Sequence, residues 1–234
     1  MSYLGRSVVR MLDGLVRSVF PARCPGCGAP GEPLCDVCVA GLRRAPGGPQ
    51  PEGLDALAVP FAYDGAMREL IARLKYRGSV HPVRWMALAV VSALQDAALQ
   101  DAALQDAALR EAAPQPAAGE WDLHRAVVTW APTTAVRRRA RGFDHAQLLA
   151  RRIGPELGLP VRRMLARRPG PPQTGRSAAE RRSGPVFRAL RAEAATVIVV
   201  DDVLTTGATL SAAARELRRA GASAVVGAAV ARRA

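Results

Sequence analysis

The 234-residue chain contains no asparagine, and Lys75 is its only lysine, so 32 of its 33 basic residues are arginine. A composition that writes arginine wherever a cation serves makes the one retained lysine notable: it marks a position suited to a compact point charge. Aromatic residues are only 4%, which argues against extended platforms for stacking nucleic-acid bases. Three histidines, His81, His124 and His145, suggest no Ser/His/Asp triad, and a lone histidine is more often structural than catalytic. Neither G-x-x-x-x-G-K-[ST] nor G-x-G-x-x-G occurs, so the usual nucleoside-triphosphate and dinucleotide cradles are missing. No long apolar run exists either. The longest, around WMALAVV at 85–91, is far too short to span a bilayer. Arg6, Arg10, Asp13 and Arg17 interrupt the first twenty residues and deny them the apolar region of a signal peptide. These absences together lead us to expect a soluble, cytoplasmic protein.

What is present is strongly basic. The formal net charge is +13, which favours anionic partners, although an arginine-writing composition with roughly a fifth alanine would produce the same excess. Leu4, Val8, Leu12, Leu15 and Val19 recur at helical spacing and read as an amphipathic helix packed on its own protein. A Gly/Pro-rich stretch with four cysteines follows, and 1–44 reads as one accessory segment. After a linker, 54–234 reads as the main domain. Asp64 is expected to cap a helix with Met67, Leu70, Ile71 and Leu74 on its apolar face.

The repeat ALQDAALQDAALREAA belongs to an insertion at about 94–118. Leucines five apart are rotated by about 500°, so Leu94, Leu99, Leu104 and Leu109 walk around a helix rather than line a seam. The segment reads as a surface insertion. From 125 onward strands and helices alternate, which argues for a parallel sheet with crossover helices and a ligand site at the carboxyl ends of its strands.

Two motifs carry chemistry. Cys24-x2-Cys27-x7-Cys35-x2-Cys38 has the spacing of a four-thiolate zinc site, and with all four positions filled by cysteine it is closed and structural rather than catalytic. The stretch VIVVDDVLTTGATL at 197–210 runs a buried strand into two aspartates, then into a Thr/Gly turn that opens a helix. Backbone N–H groups of such a turn form a nest for a phosphate. Thr205, Thr206 and Thr209 add hydroxyl donors, and Gly207 permits close approach. Asp201 and Asp202 repel a phosphate but suit hydroxyl groups or a metal ion beside it. A ribose 5-phosphate unit uses both halves.

Four apolar residues, two acidic residues and a TTG-type loop are the fingerprint of the type I phosphoribosyltransferases. The four cysteines, LKYRG (74–78), RGFDHAQLLA (141–150), QTGRSAAERR (173–182) and VIVVDDVLTTGAT occur in one order, and nearly the whole chain outside the repeat resembles the ComF family. That resemblance implies an α/β fold, a twisted and mostly parallel sheet flanked by helices, with a small N-terminal zinc ribbon. It implies binding of phosphoribosyl pyrophosphate (PRPP), accompanied by magnesium, with Asp201 and Asp202 as catalytic residues facing the ribose hydroxyls. The loop from Asp201 through Val203 and Leu204 to Thr205, Thr206, Gly207, Ala208 and Thr209 would hold the ligand. Thr133 and Thr134, after Ala131-Pro132, look like a pyrophosphate loop, with Arg137 and Arg141 near enough to assist. Lys75 is either a charge directed at pyrophosphate or a solvent-facing helix end. The family's Asn-Gln after RGF is replaced here by Asp144-His145, and an asparagine usual downstream of QTG...ERR is missing. The implied activity is transfer of phosphoribosyl to an unknown acceptor with release of pyrophosphate, linked to DNA uptake and competence or to nucleotide salvage. The alternative is a catalytically silent, PRPP-responsive protein that handles single-stranded DNA or partners competence proteins.

Overall fold

A computed structural model describes residues 23–24, 26–30, 34–77, 82–110, 121–168, 185–191 and 196–234. The expected N-terminal amphipathic helix and the QTGRSAAERR segment lie outside these residues.

The elements run α1 (Asp36–Ala40), β1 (Ala56–Ala58), β2 (Phe61–Ala62), α2 (Gly65–Arg77), α3 (Pro82–Arg110), β3 (Val127–Trp130), α4 (Ala135–Arg141), α5 (His145–Glu156), β4 (Leu165–Arg167), β5 (Phe187–Ala189), β6 (Thr196–Leu204), α6 (Ala208–Arg219) and β7 (Ala224–Arg232). The main sheet has the order β1-β7-β6-β3, with β2 also on β7, and every pairing is parallel. The fold is therefore α/β, with helices on both faces of a parallel sheet. The stretch PVRRML at 160–165, which alternates with the helices as a further strand in sequence, touches the sheet only at Val161, opposite Val128. Its continuation turns away into β4, which pairs antiparallel with β5.

Two apolar cores sit on the two faces, and strand alternation assigns residues to them. On β6, Ile198 and Val200 join one core while Val197 and Val199 join the other. β7 follows suit, with Val226, Ala228 and Val230 on the first face and Val225 and Ala229 on the second. Between them, Gly227 leaves room for leucine: a β-carbon there would lie 2.6 Å from the Leu54 Cδ1. α2, α3 and α5 cover the first face, and Met67, Leu70, Ile71 and Leu74 are all buried as their spacing predicts. α6 covers the second through Leu210, Ala213, Ala214 and Leu217.

Helix α3 runs unbroken from Pro82 into the repeat. Leu94 is fully buried whereas Leu99 is 70% exposed, as a five-residue step around a helix requires. The repeat is thus not wholly a surface feature, because its first leucine is part of the core. Leu94→Ala should lower unfolding free energy by about 2–5 kcal/mol, and Leu99→Ala should stay within about 0.5 kcal/mol of wild type. Urea unfolding of the two variants checks this, and equal losses would contradict the assignment.

Candidate functional site

β6 is buried from Thr196 to Val200 and then emerges, so Asp201, Asp202 and Val203 stand half-buried at the carboxyl end of the sheet. The chain turns at Thr205–Gly207 and enters α6. Gly207 is required twice over: its φ is +79°, and a β-carbon would lie 2.9 Å from the Pro51 Cγ. Thr206 is occupied with the turn itself, its Oγ1 accepting from the Ala208 N–H at 3.4 Å. The Leu204 side chain belongs to the core, and its carbonyl accepts from the Arg233 N–H at 2.9 Å.

A cavity of about 390 Å³ opens above this turn. Asp201, Asp202, Val203, Thr205 and Thr209 line one side, and Thr133, Arg137 and Arg141 line another. Residues 133–141 arrive there because β3 lies beside β6 and ends at the same level. Thr134 instead caps α4, its Oγ1 accepting from the Arg137 N–H at 3.2 Å. Thus most of the residues singled out from sequence meet at one cavity, while Leu204 and Thr134 serve it through the backbone and turn geometry.

Lys75 projects from α2 into the same cavity, and its Nζ lies 2.9 Å from the Asp202 Oδ2. Both side chains are largely sheltered, at 18% and 16% exposure. Sequence reasoning left Lys75 between a ligand charge and a solvent-facing end; the structure gives it an acidic partner within the site.

The acidic pair is electrostatically loaded. Burial first, and the neighbouring Asp202 charge second, push the Asp201 carboxyl up to about 8, against the opposing effects of the Asp202 N–H and Lys75. The Asp202 N–H donates to the Asp201 Oδ1 at 2.8 Å.

Several residues that line the cavity are given no role by the motifs above. Asp144 is 4% exposed. Its Oδ2 accepts from the Thr133 N–H at 2.8 Å and its Oδ1 from the Gln147 N–H at 3.5 Å. One carboxylate therefore caps α5 and clamps the loop after β3 to it. Burial raises its pKa against those hydrogen bonds. His145 is 3% exposed, lines the cavity and packs edge-on to Phe143. Burial lowers its pKa, with the nearby Asp202 opposing, and its Nε2 has no partner among the described residues. An aspartate ahead of a helical pattern was a cap signal that could have been read. Nothing in the local pattern announces Arg167, which reaches the cavity from β4 over the Phe187 ring, 5.9 Å from its centroid. Burial and Arg137 lower its pKa. Tyr63 and Arg233 also line the cavity.

The four cysteines form a second centre. Their sulfurs lie within 4.8 Å of one another, with Cys27 and Cys35 3.5 Å apart. A tetrahedral site with metal–sulfur bonds of about 2.3 Å has sulfurs about 3.8 Å apart, so the set fits a metal such as zinc. Gly26 is part of the fit, since a β-carbon there would lie 2.7 Å from the Cys38 Sγ. Burial opposes ionisation of Cys24, but N–H groups of Cys35, Cys27 and Gly26 outweigh it and draw the thiol down to about 6. Burial and the three neighbouring thiols push Cys38 up to about 12. Four thiols so placed resist ionising together unless a cation compensates them. Cys24 and Leu34 are buried in the first core, so this segment shares the main domain's interior.

Residues 140–234 match the family described as phosphoribosyl transferase domain. No curated protein matches the chain. Among solved structures, the purine phosphoribosyltransferase from Pyrococcus horikoshii Ot3 is similar at 17% identity, over 64% of this chain and 83% of that one, with a TM-score of 0.33. The described residues form an α/β fold with a mostly parallel sheet flanked by helices, and the phosphoribosyl transferase match spans its C-terminal part. Among the described residues no helix is long and apolar enough to cross a membrane.

The Asp201 shift has a consequence for stability. A carboxyl raised from 3.8 to about 8 in the folded state contributes stability fully present below its unfolded value and lost as pH rises through about 8. Asp201→Asn removes that loss. Its melting temperature without ligand should exceed wild type at pH 8, with the difference closing toward pH 4. Differential scanning across this range checks it, and a gap that widens on acidification would contradict the sign.

Proposed function

We propose that the chain is a PRPP-binding phosphoribosyltransferase-like protein of the ComF type, transferring phosphoribosyl to an acceptor and linked to DNA uptake and competence or to nucleotide salvage. One observation carries this reading: a single cavity brings the acidic pair and the Thr/Gly turn of β6–α6 against the Thr133 loop and its arginines. The matched domain and the order of motifs support it.

The turn from Thr205 to Thr209 opens a helix of twelve residues, and its N–H groups and hydroxyls receive the 5-phosphate. Asp201 and Asp202 accept from the two ribose hydroxyls. Residues Thr133, Arg137 and Arg141 take the pyrophosphate, with arginine neutralising charge that grows as it leaves. In the reaction a lone pair of the acceptor nitrogen forms the bond to C1 of the ribose. The bond from C1 to oxygen breaks, its electrons leave with pyrophosphate, and the acceptor's proton passes to water. Magnesium, when bound with PRPP, supplies further charge neutralisation, and the paired carboxylates are the oxygen ligands suited to that hard cation. Lys75, 2.9 Å from the Asp202 Oδ2, holds that carboxylate in place until the ligand arrives. The cysteine centre is a structural zinc site that folds its segment against the first core.

Calorimetric titration with Mg-PRPP should show saturable binding, lost in the double variant Asp201→Ala/Asp202→Ala. Full retention of binding in that variant would sink the site. Metal analysis of the purified protein should find about one zinc per chain, and Cys24→Ser should lower both zinc content and melting temperature. A folded protein free of metal would refute the zinc assignment.

A further inference from the structure

A second cavity of about 380 Å³ lies beside the first. The two share Tyr63 and Arg233 as a common wall. It sits at the carboxyl end of the sheet because its lining comes from residues that follow β2 and end β7. The backbone holds it firmly. The Tyr63 N–H donates to the Arg232 carbonyl at 2.7 Å, the Ala62 N–H to the Arg43 carbonyl at 2.9 Å, and the Ala45 N–H to the Pro60 carbonyl at 3.1 Å. Arg44 forms a bridge pairing with Phe61. This is a built recess rather than a gap between loose loops.

Its charge is one-sided. Arg43, Arg44, Arg232 and Arg233 line it with Ala234, and Asp64 is the only acidic side chain there among the described residues. Arg43 already pairs with Asp64. Arg232 donates to the Gly48 and Pro49 carbonyls at 3.3 and 2.6 Å. Arg44 and Arg233 have no carboxylate partner among the described residues. The PRPP reading assigns the 5-phosphate to the Thr205–Thr209 turn and the pyrophosphate to the Thr133 loop, so neither anion of that ligand accounts for this basic recess. Tyr63 stands where the two cavities join and offers a flat face to a ring.

We infer that this annex receives the second substrate, and that the acceptor is a small planar ring bearing an anionic group, a carboxylate or phosphate, bound by Arg44 and Arg233. The inference rests on the phosphoribosyltransferase reading and adds the acceptor's chemical class. The volume suits a small molecule, since such sites run from about 300 to 1,000 Å³. A guanidinium presents paired N–H donors that match a carboxylate or phosphate edge. The ring would rest against Tyr63, beside the reacting ribose, while its anionic group points away from the carboxylates of Asp201 and Asp202.

The test uses full-length protein saturated with Mg-PRPP and calorimetric titration with matched probes, nicotinate against nicotinamide and orotate against uracil. Each carboxylate should bind at least about tenfold tighter than its uncharged counterpart. Arg44→Glu should erase that preference while leaving the Mg-PRPP isotherm unchanged, because Arg44 lines only the annex. Equal affinities within both pairs, no binding by any of the four, or a preference that survives Arg44→Glu would overturn the inference. Normal uptake of Mg-PRPP without a carboxylate preference sinks the annex alone. A wild-type protein that takes up no Mg-PRPP sinks the phosphoribosyltransferase reading beneath it.

Discussion

Two carboxylates at the end of a buried strand repel one another, and the surroundings of this site are organised around that repulsion. The Lys75 ammonium sits 2.9 Å from Asp202 and is the nearest compensation. It is held there by α2, whose Met67, Leu70, Ile71 and Leu74 are locked in the first core. The beginning of the same helix touches the cysteine centre, where the Ala66 Cβ lies 3.2 Å from the position of a Gly26 β-carbon. A continuous set of contacts therefore runs from the four sulfurs through α2 to the acidic pair. The cysteine segment is too poor in apolar residues to fold by itself, and by sharing the core it also braces the helix that neutralises the site.

The same economy governs the opposite wall. Asp144 caps α5 with one oxygen and clamps the Thr133 loop with the other. Its side chain is an ionisable group kept inside by hydrogen bonds, the usual condition for burying one. Arg137, Arg141 and Arg167 line the cavity together with it, so this wall is mainly basic. On the other wall, burial first and the Asp202 charge second push the Asp201 carboxyl up.

Much of the framework was legible in the sequence because it depends on neighbours a few residues apart. Helical spacing identified the buried face of α2, the five-residue repeat predicted that Leu94 and Leu99 would point differently, and the β-branched run before the two aspartates marked β6. The Asp-Asp and Thr/Gly signature named one wall of the cavity for the same reason: strand, turn and helix are consecutive. Arg167, Tyr63 and Arg233 were not legible. They come from β4, from the end of β2 and from the end of β7, and no periodicity distinguishes a cavity-facing arginine from the many solvated ones.

The sequence by itself determined the local chemistry: two cysteine pairs at metal-binding spacing, a Thr/Gly turn beside two aspartates, and alternating strands and helices that fit a layered α/β sheet. Tertiary structure decided which charges meet. That Lys75 serves Asp202, that Asp144 ties two loops together, and that a basic annex opens beside the first cavity all follow from parallel pairing of β1 and β2 with β7 and of β6 with β3 and β7. The pairings of β1 and β2 with β7 join residues 170 positions apart, as Ala56 with Val226 and Phe61 with Ala231, and such partners are set by packing of the whole sheet rather than by any local pattern.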